Sequence, residues 1–585
     1  MSDLLNQASL VMVPSGYKED TVYSVVPSDG SGDLSFTRAS NGTRVNSAGL
    51  VEVCPWNLVQ NSENFSAVWT AYQSTITSNT ATAPNGTLTA DSITDNSGND
   101  VHIAYQTMAG IVAGTYTISL YAKASTLSHI NLQWYDGTTF YTSNAFNLSN
   151  GTTTGANQSI ESVGNGWYRC IFTFTTTVSG TQYAYVLLNN GTSNFYTGTG
   201  TGTVFIWGAQ VNIGSTAKPY FPTTDRLNVP RLTYQNGGGG CPSLLLEKQS
   251  TNLMLYSEQF DNAVYTKRNS TISANATTSP DGTTNADKIQ EDTSNARHDI
   301  YQNFTCTNGV TYTQTIFAKQ GERRYCFMSF GTALINAGDS YFDLQDGVVV
   351  SSPSGLTSTI ENMGNGWFRC RITATCSGDG TGYYVNGPAI TSSNYIYQGV
   401  SGYGIYVWGC QIEASSYATS LINTTSATAT RVADACSKTG ISSLIGQTEG
   451  VLFIDLIASS YNADGASYSL LATLGNSSEN FQIYTNNALL RCYISASGTE
   501  DVSTGITLVN GNRYKIALAY KSGDSVVFVN GALTNTMAKT TMPTAADFYL
   551  NQYSDGSLKS SNSFNQAILF KTRLSNSDLI ALTTI

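Results

Sequence analysis

At 585 residues the chain is too long for one hydrophobic core, and at roughly 100–200 residues per domain it predicts three or four. Charged residues are only 11% of it and the net charge is −11. With no Lys/Arg run, this excludes a sequence-independent nucleic-acid binder, which needs a basic face to displace counterions. No apolar span reaches the about 18 residues of a membrane-crossing helix. The start, MSDLLNQASLVMVPSGYKED, lacks the basic-then-apolar pattern of a secretory signal, so the expectation is a protein made in a cytosol and not exported by that route.

Thr, Ser, Asn, Gly and 35 Tyr dominate, a composition of short strands and tight turns. No long stretch carries apolar residues at helical spacing, so the chain reads as all-β. Residues 1–50 stand outside the duplicated modules and are expected as an N-terminal attachment region. From there the chain repeats itself. NLVQNSENF (57–65) returns as NLMLYSEQF (252–260), and APNGTLTADSI (83–93) as SPDGTTNADKI (279–289). TYTISLYAKA (115–124) returns as TYTQTIFAKQ (311–320), VGNGWYRC (163–170) as MGNGWFRC (363–370), and VFIWGAQV (204–211) as IYVWGCQI (405–412). Five matches in one order define a duplicated module. The expected division is 51–222 for module 1, 223–251 a connector, 252–422 module 2, 423–444 a connector and 445–585 a different C-terminal domain. The connectors echo one another in FTRAS, VPRLT and ATRVA.

Within the modules the strands alternate with period two. Tyr116, Ile118, Leu120 and Ala122 share one face; Thr117, Ser119 and Tyr121 share the other. Such strands, parted by Gly/Asn/Ser turns, predict antiparallel sandwiches of jelly-roll type with one wet face per sheet. In the C-terminal domain DSVVFVNGAL reads as a hairpin with an Asn-Gly turn. LSNSDL reads as a helix start, with Ser575 as N-cap and Asp578 three residues on.

The series FTRASNGTRVNSAGLVE, NLVQNSENF, APNGTLTADSI, YAKA, GNGWYRC and WGAQV resembles modules of bacteriophage virion proteins, whose layout is similar to carbohydrate-binding-module jelly rolls. GVLFIDL, NRYKIALAYKSGDSVVFVNG and AILFKTRLSNSDL resemble concanavalin A-like, laminin-G-like sandwiches. The resemblance implies a virion structural protein: a fibre, appendage or decoration component with host-glycan-binding modules, no enzyme, and localisation in a particle assembled in the host cytoplasm. Its implied partners are other virion proteins, further copies of itself as a dimer or trimer, and a host surface glycan, with no nucleic acid and no membrane insertion. The alternative is a polysaccharide-degrading or sugar-modifying enzyme with appended binding modules. No GxSxG, Walker or HExxH pattern supports that.

Candidate sites are few. NLQWYDGTTFY gathers Trp134, Tyr135, Phe140 and Tyr141 around an Asp-Gly turn, as sugar-stacking rings or as a core hairpin. Asp91, Asp281 and Asp287 follow turns and supply hard oxygens for a structural Ca2+, or cap those turns; no cofactor is otherwise required. His102 and His298 occupy matching places and read as structural. Parity places Trp167 and Arg169, with Trp367 and Arg369, opposite the core-facing Cys170 and Cys370. They read as a structural motif in which each Arg stacks on its Trp, together with Trp207 and Trp408. The ten Cys, with no CxxC pair, read as reduced core thiols.

Overall fold

The computed structural model describes residues 2–235, 238–331, 335, 338–460 and 468–585. Its regular structure is almost entirely antiparallel strand, as the composition implies. Among the described residues no helix is long and apolar enough to cross a membrane. The chain divides into two compact units, Pro55–Leu227 and a second built from Met1–Cys54 with Asn228–Ile585.

Pro55–Leu227 is module 1, a sandwich of two sheets. One runs Phe140–Thr142, His129–Tyr135, Gly180–Asn189, Ile103–Ile111, Thr70–Tyr72. The other runs Gln158–Gly164, Trp167–Thr176, Gly114–Ala124, Thr203–Ile213, Ala90–Asp95, Ser74–Ala81. Their facing sides bury Ile118, Leu120, Ala122, Cys170, Phe172, Leu132, Trp134, Val186 and Leu188. The expected wet face of the second sheet is not wet at its middle. Thr117 and Ser119 are buried too, because the chain after Ile213 folds back over them. Thr117 Oγ1 donates to Gly214 O at 2.8 Å, and Arg169 Nη2 and Gln210 Nε2 donate to Lys218 O at 2.7 and 2.9 Å.

The second unit contains module 2, whose sheets repeat those of module 1. One runs from Thr266–Arg268 through Asp299–Cys306, Gly380–Ala389, Tyr325–Ser329 and Asp339–Asp343 to Val348–Ser351. Its partner runs from Ser270–Thr277 through Ala286–Glu291, Gly404–Glu413, Thr311–Gln320 and Trp367–Thr375 to Thr357–Gly364. Cys306 ends one strand and Cys376 directly follows Thr375 at the end of another in the opposite sheet, and they form a disulfide, contrary to the all-thiol expectation, because the two strand ends bring their Cα atoms to 6.4 Å. Seven of the remaining Cys are buried thiols, and Cys241 is exposed.

The C-terminal sandwich is assembled from the whole length of this unit. Ala8–Met12 pairs with Ser561–Phe570, Ala8 opposite Phe570. Arg231–Thr233 and Ser243–Leu246 extend the same sheet through Ser561–Phe570 to Glu449–Ser460, Arg513–Lys521, Ser525–Val529 and Ala532–Met537. In the facing sheet Leu34–Thr37 pairs with Ala435–Lys438, which pairs with Phe548–Leu550 and so joins Tyr468–Gly475, Asn480–Asn486, Leu489–Ser495 and Thr499–Thr507. Residues 1–50, expected as an attachment region, therefore supply core strands: Leu10, Met12, Val22, Leu34 and Phe36 lie in one apolar cluster with Leu452, Ile483 and Phe564. The connectors do the same, and the two modules are excursions from this sandwich along the chain. The hairpin Gly42–Val45/Val51–Cys54 lies on module 2, with Val51 N donating to Pro280 O at 2.9 Å.

The three echoing connectors converge on a buried ionic cluster. Arg38, Arg231 and Arg431 are each no more than 1% exposed. Arg38 Nη1 lies 3.0 Å from Asp434 Oδ1, Arg231 Nη1 2.6 Å from Glu247 Oε2, and Arg431 Nη1 3.2 Å from Glu247 Oε2. Arg231 Nη2 completes the set on Asp434 Oδ2. Burial alone would raise the Glu247 carboxyl, but Arg431 and Arg231 outweigh it and hold the group at about 2.

Local turn chemistry follows the sequence. Asn165 and Gly166 both take positive φ (52° and 78°) between Gln158–Gly164 and Trp167–Thr176, the geometry a two-residue hairpin turn demands. Asn530 and Gly531 repeat it (50° and 82°) in the predicted C-terminal hairpin. Ser575 Oγ accepts from Asp578 N at the start of helix Asn576–Thr583. Of the four-glycine run, Gly237 lies outside the described residues; Gly238–Gly240 all have positive φ.

Candidate functional site

Three sequence stretches, HINLQWY, IAYQTM and TQYAYV, place aromatic residues at alternate positions of adjacent strands. Period two sends Tyr135, Tyr105, Tyr183 and Tyr185 to the outer side of module 1's first sheet, while Trp134, Ala104, Ala184 and Val186 enter the core. Cross-strand pairing then sets the outer residues in rows. Phe140 lies opposite Tyr135, Tyr135 opposite Tyr183, and Tyr183 opposite Thr107. In the next row Thr142, Gln133, Tyr185, Tyr105 and Thr70 stand side by side. A third contains Asn131, Leu187, Ile103 and Tyr72.

These rings touch one another. Tyr135 stacks on Phe140 at 4.2 Å and on Tyr183 at 6.0 Å, and Tyr185 lies 5.3 Å from Tyr105. Phe140 is 58% exposed and Tyr72 45%, so apolar ring surface is open to water. Polar groups border it: Gln133 Nε2 donates to Thr142 Oγ1 at 2.6 Å, and Asn189 Nδ2 to Asn131 Oδ1 at 2.8 Å. Burial, with Tyr105, Tyr183 and Tyr135 nearby, pushes the Tyr185 hydroxyl up to about 12, so it stays protonated at neutral pH. Beside Phe140, Asp136 organises the turn. Burial would raise its carboxyl, but donors from Thr139, Thr138 and Tyr141 more than offset this and hold it at about 2.

The four rings singled out from the sequence thus separate. Tyr135 and Phe140 belong to the open face. Trp134 is fully buried, stacked on Phe174 at 4.9 Å, its Nε1 donating to Gln182 Oε1 at 2.5 Å. Tyr141 is half-buried, 5.7 Å from the Phe174 ring. Tyr105, Tyr183 and Tyr185 were missed because they come from strands about 80 residues apart; the alternation in TQYAYV was the available signal.

Module 2 fills the corresponding face differently. By strand pairing Val385 stands where module 1 has Tyr185, Ser329 where it has Gln133, and Phe327 where it has Asn131. Tyr395 covers Phe327 at 4.6 Å, and the Arg297 guanidinium lies over both rings. Arg268 and Arg297 both pair with the buried Asp299. At the edge of this sheet a groove of 510 Å³ lies between Leu253, Leu255, Val264, Tyr301 and Asn303.

The carboxylates considered for calcium are engaged with the chain itself. Asp91 accepts from Phe65 N and Asn79 N at 2.8 and 2.9 Å, and Asp287 from Phe260 N and Asn275 N at the same distances. Burial raises both carboxyls, Asp287 to about 6. Asp281 accepts from Thr283 N and Ser279 Oγ within its turn. Among the described residues no group of three or more His, Cys, Asp or Glu could hold a metal ion.

The tryptophans form a second, smaller core on the far side of the other sheet. Trp167 and Trp207 pack with Ala83 and Ala90; Trp367 and Trp408 pack with Ala286, Phe317, Leu421 and Val51. Trp167 Nε1 donates to Thr82 O and Trp367 Nε1 to Thr278 O, each at 3.1 Å. The arginines do not stack on them: Arg169 lies over Tyr121 at 5.6 Å and Arg369 over Phe317 at 5.3 Å, because each reaches across the sheet to a returning carbonyl. His102 and His298 are buried, each with both ring nitrogens against backbone carbonyls, Gln73 and Tyr196 in one module, Asn269 and Tyr397 in the other.

No family model and no curated protein matches the chain. Among solved structures it is similar to the CBM40 of the Ruminococcus gnavus IT-sialidase bound to α2,3-sialyllactose, with 18% identity and a TM-score of 0.22 over 24% of this chain and 84% of that one. It is also similar to domain 4 of AbnA, a GH43 extracellular arabinanase from Geobacillus stearothermophilus, in complex with arabinotriose (14%, TM-score 0.22, 29% and 81%). A third is the botulinum neurotoxin serotype D binding domain (9%, TM-score 0.20, 23% and 36%).

Proposed function

We propose that the chain is a virion structural protein, a fibre, appendage or decoration component, whose module 1 binds a host glycan on the face formed by Tyr135, Phe140, Tyr183, Tyr185 and Tyr105. The observation that carries the binding role is that open aromatic platform, bordered by amide and hydroxyl groups. Ring faces accept the C–H surface of a sugar, while Gln133, Thr142 and Thr107 offer partners to its hydroxyls. The role is binding rather than catalysis, since none of the residues in the three rows is a carboxylate and glycoside hydrolysis needs two. The virion role rests on the ordered sequence series FTRASNGTRV to WGAQV; assembly into a homo-oligomer and attachment to other virion proteins belong to the same reading.

A glycan array probed with the purified chain tests the binding role. Binding that is lost in Phe140→Ser, a change at an exposed ring, is expected; an array with no signal defeats it. Mass spectrometry of washed particles tests the virion role, and absence of the chain from them ends it.

A further inference from the structure

The platform has a charge character that specifies which glycans it takes. Between residues 55 and 227 there are four Lys and Arg, namely Lys123, Arg169, Lys218 and Arg226, against seven Asp and Glu. Lys123 and Arg169 stand on strands Gly114–Ala124 and Trp167–Thr176 of the opposite sheet, and Lys218 and Arg226 in the segment after Ile213. None of the four stands on the sheet that bears the rings.

We propose that the module 1 face binds a neutral glycan and refuses anionic ones, sialylated sugars included; this rests on the glycan-binding reading above. A carboxylated sugar laid on these rows would be stripped of water without a cation to meet it, which opposes binding. It would also approach an exposed carboxylate, that of Asp100, at the edge of the platform. Asp100, beside Tyr72, accepts from Val101 N and the Tyr72 hydroxyl, which lower its carboxyl below the usual range. The base on the same face, His129, is pushed down by burial and so favours the neutral ring. Tyr185, pushed up by burial, remains a protonated donor. The three rows therefore offer no cation to a sugar, and the exposed Asp100 carboxylate at their edge repels anions.

Affinity electrophoresis of the full chain decides this. The probes are four neutral polymers (dextran, laminarin, arabinan and galactomannan) and three anionic ones (polysialic acid, alginate and polygalacturonate). Each is run at about 50 and about 500 mM NaCl, across which surface charge interactions are strongly screened. The expected result is retardation by at least one neutral polymer, changing less than about twofold with salt, weakened at least about tenfold by Tyr185→Ala and also by Phe140→Ser. Retardation by an anionic polymer that falls with salt and is lost in both variants overturns the neutral class while leaving glycan binding intact. No retardation by any polymer counts against both.

Discussion

The Tyr395 ring lies 23° from parallel to that of Phe327, with centroids 4.6 Å apart, and this pairing buries an aromatic ring on module 2 where module 1 has Asn131. Tyr341 and the Arg297 guanidinium complete the cover, and Phe327 is fully buried. Module 1 has Asn194 and Val101 at the matching positions. Duplication thus preserved the sheet and altered the side chains on its outer face.

Tyr395→Ala removes that cover. The stack is worth about 0.5–1.5 kcal/mol beyond buried area, so chemical denaturation is expected to show a loss of about 1–2 kcal/mol in the second unit. An unchanged denaturation midpoint would show that the ring is not packed in solution.

Asp434→Asn tests the cluster where the connectors meet. It takes from Arg38 its carboxylate in the cluster and leaves Arg231 with Glu247, which Arg431 shares. Breaking a buried pair on one side costs about 3–5 kcal/mol. The thermal transition of the C-terminal sandwich is expected to fall by several degrees, with module 1 unaffected. A variant as stable as the parent would mean that the cluster tolerates an uncompensated charge.

That cluster shows what the sequence held and what it hid. The repeats were legible because matching residues do matching work: Asn57 and Asn252 each donate to two backbone carbonyls, and Asp91 and Asp287 each hold two N–H groups. The pairing of Ala8 with Phe570 was not legible, since a five-residue strand has too few alternations to name a partner more than 500 residues away. The echo of FTRAS, VPRLT and ATRVA was legible, but not that their Arg residues meet in one buried cluster. At the candidate site, period two already separates Trp134 from Tyr135, but only strand order brings Tyr105 and Tyr185 together.

Stability should carry two opposite pH signatures. Glu247, ordinarily near 4.5, is held at about 2 in the folded chain, so its contribution is full above about 4.5 and lost as pH falls toward 2. Asp287, ordinarily 3.8, is raised to about 6 by burial, which the N–H groups of Asn275 and Phe260 only partly oppose. Its contribution is full below 3.8 and lost as pH rises through about 6. Urea midpoints measured across pH for the parent, Glu247→Gln and Asp287→Asn check both. Glu247→Gln is expected to flatten the acid limb below 4.5, and Asp287→Asn the decline between 3.8 and 6. Parallel profiles for all three would refute the assignment.

Trp167→Ala should destabilise module 1 by about 3–5 kcal/mol, the cost of a large cavity, while leaving glycan retardation unchanged wherever the module stays folded. The ring is 1% exposed, and its Nε1 donates to Thr82 O. Trp167→Phe keeps most of the volume and loses that hydrogen bond, so a smaller loss is expected. A Trp167→Phe protein of full stability that no longer binds glycan would reassign the residue to the ligand.

The disulfide is the last difference between the copies. Cys306 and Cys376 join strand ends 70 residues apart, where module 1 has Gly110 and Thr176. Closing a loop of that length stabilises by about 2–4 kcal/mol, chiefly by restricting the unfolded chain. Reduction with dithiothreitol is therefore expected to lower the unfolding midpoint of module 2 and not that of module 1. Cys306→Ala/Cys376→Ala should reproduce the shift and make it insensitive to reductant. Mass spectrometry of the unreduced protein after thiol alkylation supplies the direct count, with eight modified Cys expected against ten after reduction. Ten in both samples would show that the pair is not bonded in the protein as made.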